Sequence, residues 1–225
     1  MINTMALNRV LLFIVIVCMI SCDTKESAVS YTHDSSAELV NKSEVMSLGD
    51  FVSWVGDSDN KLVKNKELNE VNYILAFMPA EALAHIELKD EPYSGQQFDQ
   101  ALKNYSGMSY FNLRIERPKD SGEILKLDLQ NSAQYTDRLN YMAFAMQHDL
   151  TLVQGKDTLH PGLYHFERIF ELSSYVTVML AFDNSKFQKD KEFTIIYNDR
   201  LFNKGYIKYT YFQNQLIDLP IISGV

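Results

Sequence analysis

An unbroken apolar run from Val10 to Ile20 follows Arg9, and a polar, hydroxyl-rich stretch follows it from Asp23 to about Ser43. At helical rise the run covers about 16 Å of a bilayer core about 30 Å thick, too little to span it. A charged start, a short apolar middle and a small residue before a boundary form the pattern of a secretory signal peptide. That segment is predicted over residues 1–21, and a flexible tether over residues 22–43, where Thr24, Ser27, Ser30, Thr32, Ser35 and Ser36 accumulate. No Pro/Gly-rich break divides residues 44–225, which predicts one globular domain there.

Within that domain the spacing changes from helical to strand-like. Ser47 and Asp50 form an N-cap signal ahead of Leu48, Phe51, Val52 and Val55, which share a helical face, and Gly56-Asp57-Ser58-Asp59-Asn60 ends it. Val71 to Met78 reads as a buried strand stopped by Pro79, and Ala80 to Leu88 and Gln96 to Tyr105 read as helices. From Tyr110 to Glu116, Phe111, Leu113 and Ile115 alternate with Asn112, Arg114 and Glu116, the pattern of a half-buried strand. Leu125, Leu127 and Leu129 repeat the alternation and predict another strand. A short helix over Gln134 to Tyr141 is expected to run into a strand from Ala143 to Val153, with a turn at Gly155-Lys156-Asp157. Strands follow at Leu163 to Phe170, Tyr175 to Phe182, Glu192 to Tyr197 and Tyr206 to Phe212. Short polar loops between successive strands imply antiparallel pairing. The expected fold is mainly β: an antiparallel, sandwich-like domain with a few short α-helices in its N-terminal half.

Composition changes this picture mainly by exclusion. The chain is 46% hydrophobic and 22% charged, an ordinary globular balance that excludes disorder and a polytopic membrane protein. The formal net charge is −8, without a lysine block, so the basic footprint that nucleic-acid binding needs is missing. The two cysteines are Cys18 and Cys22. The first falls inside the signal peptide and the second at its boundary.

The boundary itself, Met19-Ile20-Ser21-Cys22, resembles the bacterial lipobox, with Met where Leu is usual. The resemblance implies that Cys22 is thioether-linked to a diacylglycerol and becomes the new N-terminus. Two or three acyl chains, at about 0.8 kcal/mol per buried CH₂, would hold the domain at a membrane. Three further stretches resemble a group of Bacteroidota envelope lipoproteins of unknown function. They are Phe51-Val52-Ser53-Trp54-Val55, the run Tyr73 to Glu81, and the segment from Met146-Gln147-His148-Asp149 through Gln154–Leu159 to Tyr164–Arg168, with a departure at His160-Pro161. The resemblance implies an envelope lipoprotein and supplies no activity; the location expected for the anchored chain is the cell envelope, at the periplasmic or surface face of the outer membrane.

Candidate chemistry is sparse. Tyr164-His165-Phe166-Glu167-Arg168 is the most suggestive segment: on a strand His165 and Glu167 share a face about 7 Å apart, with Arg168 on the other. A His–carboxylate pair serves general base catalysis, and Arg168 or Asp149 would be its nearest helpers. The plainer reading of the same residues is a polar sheet face with cross-strand ion pairs. No HExxH or G-x-S-x-G pattern is present, and no S-x-x-K set with its partners, so no metal site and no cofactor is expected. Gly155-Lys156-Asp157-Thr158 lacks the glycine spacing of a phosphate loop, and the adjacent His148 and Asp149 diverge if they lie on a strand. Asp157-Thr158-Leu159 resembles the Asp-Ser/Thr-aliphatic site of O-glycosylation in exported Bacteroidota proteins, which makes Thr158 the candidate acceptor; a plain turn accounts for the same residues. The chain carries 13 Tyr and 13 Phe. In the last long strand Tyr206, Lys208, Thr210 and Phe212 form one face and Ile207, Tyr209 and Tyr211 the other. Sheets are built from such residues, and aromatic faces also bind sugars and peptides.

The expectation that follows is a non-enzymatic module, moored to membrane lipid through Cys22, that binds an envelope protein, peptide or glycan. An envelope hydrolase using His165 and Glu167, and an immunity or inhibitor lipoprotein, are the alternatives.

Overall fold

The computed structural model describes residues 45–57, 59–89, 92–117, 122–167, 174–212, 215–216 and 219–223. The apolar leader, Cys22, the tether and Arg168 lie outside the described residues.

The chain opens with β1 (Val45–Met46), which pairs in parallel with the last strand, β11 (Ile221–Ile222). Helix α1 (Leu48–Val55) follows as expected, its first turn capped by Ser47, whose side chain accepts the Asp50 N–H at 3.2 Å. β2 (Val63–Leu68) and β3 (Val71–Met78) form a hairpin. Pro79 then starts α2 (Ala80–Leu88), and α3 (Gly95–Tyr105) begins with a reciprocal capping box between Ser94 and Gln97. β4 (Met108–Glu116) returns antiparallel to β3.

One expected strand and the first part of another are replaced by tight helical turns. Leu125 to Leu129 does not form a strand. Ile124–Lys126 is a 3₁₀ turn, and Asp128 takes a φ of 52°. Ile124, Leu125 and Leu127 are buried all the same, so the turn reproduces a strand-like alternation. The carbonyls of Leu125 and Leu127 are taken by the Arg138 guanidinium at 2.8 and 2.5 Å instead of by a neighbouring strand. The stretch from Ala143 to Asp149 is likewise not extended. α4 (Ser132–Asn140), capped by Asn131, continues into a π turn (Tyr141–Ala145) and a 3₁₀ turn (Met146–Asp149). Met142 and Met146, four apart, point into the core, and the run Ala-Phe-Ala between them is not β-branched.

The rest of the chain is strand. β5 (Leu150–Gln154) turns at Gly155, whose φ is 59°, into the short β6 (Asp157–Leu159). β7 (Leu163–Glu167), β8 (Tyr175–Asp183), β9 (Phe193–Asp199) and β10 (Gly205–Tyr211) follow.

The fold is mainly β, built on two antiparallel sheets of order β2-β3-β4-β8-β7 and β10-β9-β5-β6. Their apolar faces meet. Phe111 of β4 touches Phe193 of β9 and Tyr211 of β10, with ring centroids 6.3 and 5.5 Å apart. The Tyr209 and Tyr211 hydroxyls reach across to the backbone carbonyls of Tyr73, Leu62 and Leu75. Tyr209 and Tyr211 are thus core residues, while Tyr206 and Phe212 are exposed. β2 carries Lys64 and Lys66 on the outermost edge of its sheet, a guard against edge pairing. Its polar run gave no apolar alternation to read. No described helix is long and apolar enough to cross a membrane.

Candidate functional site

The face of the five-stranded sheet that points away from the second sheet is divided in two. At one end Met78, Tyr110, Ala181 and Leu163 lie side by side across β3, β4, β8 and β7. Helices α2 and α3 cover this end: Tyr110 stacks edge-on against Tyr105 of α3, whose hydroxyl donates to Glu87 of α2 at 2.9 Å. Beyond that row the face becomes polar. The next row is Val63, Ala76, Asn112, Met179 and His165; the one after is Asn65, Ile74, Arg114, Thr177 and Glu167; the last is Glu67, Asn72, Glu116 and Tyr175.

Register puts the two residues singled out on β7 on one face, as the alternation predicts, and supplies neighbours that the sequence left unassigned. His165 sits beside Met179 and Glu167 beside Thr177, with Asn112 and Arg114 one strand further on. Arg114 lies over the Tyr175 ring at 3.9 Å and pairs with Glu116 at 2.5 Å. Thr177 is 2% exposed and Met179 3%. His165, Glu167, Asn72 and Asn112 are half-buried.

Seven buried side-chain polar atoms among the described residues lack a hydrogen-bond partner, and six fall on this face: Asn72 Oδ1, Asn112 Oδ1, Arg114 Nε, His165 Nε2, Glu167 Oε2 and Thr177 Oγ1. The seventh, Glu123 Oε2, faces Lys126 Nζ at 3.2 Å. An unpaired buried polar group costs about 1–3 kcal/mol, so native proteins keep few of them. Burial pushes the His165 imidazole below its ordinary pKa and the Glu167 carboxyl above its own. Both shifts favour the neutral forms.

The other sequence candidates lie elsewhere. Thr158 is exposed, and it stands in β6 rather than in the turn, which is Gly155-Lys156. His148 is exposed on the 3₁₀ turn. Asp149 is committed to other partners: it accepts from Tyr141 at 3.1 Å and from Asn198 at 3.3 Å, and it pairs with Arg200 at 3.0 Å. Among the described residues no group of three His, Cys, Asp or Glu side chains is arranged to hold a metal.

A second polar cluster, missed in the sequence, is fully satisfied. Asp199, 2% exposed at the end of β9, accepts from the Tyr73 and Tyr197 hydroxyls and from the backbone N–H groups of Leu201, Phe202 and Lys204. Its carboxylate closes the β9–β10 loop and ties it to the opposite sheet, a structural task. The signal was present as an acid ending an apolar strand, but nothing local identified Tyr73 as its partner.

No protein-family model, curated protein or solved structure matches the chain.

Proposed function

We propose that this is a lipid-anchored envelope protein whose domain binds a partner through the polar half of the outer face of the five-stranded sheet. The anchor reading rests on the apolar run from Val10 to Ile20 and on Cys22 at its boundary. The binding reading rests on one observation: six buried polar atoms without partners gather on a single face instead of being scattered. A folded protein tolerates such a cluster when the groups are completed by something else or serve a function.

A binding role fits this face better than catalysis. His165 and Glu167 flank Met179 and Thr177, and among the described residues no hydrogen bond joins a nucleophile to a base there. Thr158, exposed on the other sheet, is the proposed O-glycosylation acceptor and lies clear of this face.

The test has two arms. For the anchor, mass spectrometry of native protein should find an acylated Cys22, and the Cys22→Ser variant should leave the membrane fraction. An unmodified N-terminus, or a variant that still partitions with vesicles, would overturn the anchor. For binding, a photo-cross-linking residue at the exposed Asn65, in the Arg114 row, should give discrete adducts in whole envelopes, while one at Thr158 should not. Identical patterns from the two positions would overturn the assignment of the face.

A further inference from the structure

We infer that the ligand of this face is a neutral, hydroxyl-rich saccharide; the inference rests on the binding reading above and assigns its chemistry. The unpaired atoms decide between ligand classes. Asn72 Oδ1 and Asn112 Oδ1 are acceptors that need a donor, and Arg114 Nε–H is a donor that needs an acceptor. Thr177 Oγ1, His165 Nε2 and Glu167 Oε2 take either role, according to hydroxyl rotation, tautomer and protonation. A ligand that completes this set must donate and accept at closely spaced points, and a sugar hydroxyl does both from one atom.

Other chemistries fail on the same atoms. An apolar ligand leaves all six unpaired. An anion, including a nucleic acid or phosphate, meets one cation among these rows, Arg114, and Glu116 already holds it at 2.5 Å, with Glu67 adding negative charge in the last row. A cationic side chain only donates: it can satisfy acceptors but leaves the Arg114 Nε–H unpaired. Neutral polyols carry neither penalty.

The face can reach such a ligand through side-chain rotation. The unpaired atoms are turned inward, while part of the Asn72, Asn112, Arg114, His165 and Glu167 side chains is exposed. Among the described residues Asn72, Asn112, His165, Glu167 and Thr177 make no side-chain hydrogen bond that rotation would break.

The test uses the full-length lipidated protein in detergent micelles against immobilised neutral oligosaccharides of glucose, mannose, galactose and N-acetylglucosamine, with heparin and polylysine as charged controls. At least one neutral oligosaccharide should bind with a Kd below about 1 mM, and the Kd should change less than about two-fold between about 50 and about 500 mM salt, because no ion pair with the ligand is screened. Asn112→Leu should weaken binding by about ten-fold or more, as expected when a site loses one partner of a ligand hydrogen bond. Thr177→Val, chosen to preserve the fold, should weaken it as well, and Thr210→Val on the other sheet should leave it unchanged. If no neutral oligosaccharide binds at about 1 mM, or binding survives both Asn112→Leu and Thr177→Val, the saccharide assignment is wrong. Salt-sensitive binding to heparin or polylysine alone would overturn it equally. Cross-linking at Asn65 separates the two failures: discrete envelope adducts without saccharide binding remove the ligand class and keep the binding face, whereas loss of both removes the face itself.

Discussion

The Tyr73 hydroxyl donates a 2.9 Å hydrogen bond to Asp199 Oδ2 across the interface between the two sheets. The two residues lie 126 positions apart in the chain, and the bond joins the centre of one sheet to the end of a strand in the other. Asp199 also accepts the Tyr197 hydroxyl and three backbone N–H groups, so this buried carboxylate is compensated entirely by donors. Tyr73→Phe removes one donor and leaves the remaining four in place; a loss of about 1.5–3 kcal/mol is expected, the range for hydrogen bonds to charged groups. Asp199→Ala strands five donors at once, and its loss should exceed that of Tyr73→Phe by at least about 2 kcal/mol. Urea midpoints at unchanged slope are the measurement. Equal losses in the two variants would mean that the loop, and not the carboxylate, organises the cluster.

The buried tyrosines give the protein a defined alkaline limit. Burial and, for Tyr73, Tyr197 and Tyr209, the Asp199 carboxylate push the phenols of Tyr73, Tyr197, Tyr209 and Tyr211 far above their ordinary value of 10.0. In the unfolded chain the same phenols ionise near that ordinary value. The folded state therefore binds more protons above it, and stability that is fully present below pH about 10 falls as pH rises further. Tyrosinate absorbance should rise in two steps. Phenols outside this buried set titrate first. The buried set follows together with loss of circular dichroism. A single smooth titration with the fold intact would contradict this burial.

The periodicity carried most of the fold and half of the candidate site. Where strands are half-buried, as at Phe111 to Glu116, alternation gives both the element and its orientation, because one face must be apolar. It misleads at Leu125 to Leu129, where a 3₁₀ turn buries Leu125 and Leu127 and spends their carbonyls on Arg138. It is silent at Val63 to Leu68, where an edge strand needs no apolar face. His165 and Glu167 were legible as a pair sharing a face. Asn112, Arg114 and Thr177 joined them only through register, which reaches across more than fifty positions for the first two and leaves no local trace. Thr177 in particular lies inside the run Val176 to Phe182 and reads as an ordinary core-strand threonine.

That threonine separates function from stability. Thr177 is 2% exposed, and its hydroxyl has no partner. Thr177→Val keeps the shape, replaces the hydroxyl by a methyl group and removes an uncompensated buried dipole. It should be neutral to stabilising, by up to about 1–2 kcal/mol. For a domain of this size that corresponds to a rise in Tm of up to about 4–8 °C, read by calorimetry. Stabilisation accompanied by weaker ligand binding is the signature of a hydroxyl retained for recognition at the expense of stability. A clear fall in Tm would instead mean that the hydroxyl is already satisfied in solution.

His165 and Glu167 pull the pH dependence of stability in opposite directions. Burial depresses the His165 pKa below 6.5, so the unfolded chain takes up this proton first. The contribution of His165 is present above pH 6.5 and is lost as pH falls through its folded value. Burial raises the Glu167 pKa above 4.5, so the folded chain takes up that proton first. Its contribution is present below pH 4.5 and is lost as pH rises through its folded value. Urea midpoints measured from pH 4 to pH 8 should therefore show His165→Gln flattening the acid-side decline and Glu167→Gln raising stability at neutral pH, with little change from the latter near pH 4. The double variant should approach the sum of the two, because each residue is desolvated by the sheet face and no hydrogen bond joins them. If instead His165→Gln steepened the acid-side decline, the imidazolium would be a stabilised partner of Glu167, and the face would hold a charged pair in place of two separately desolvated groups.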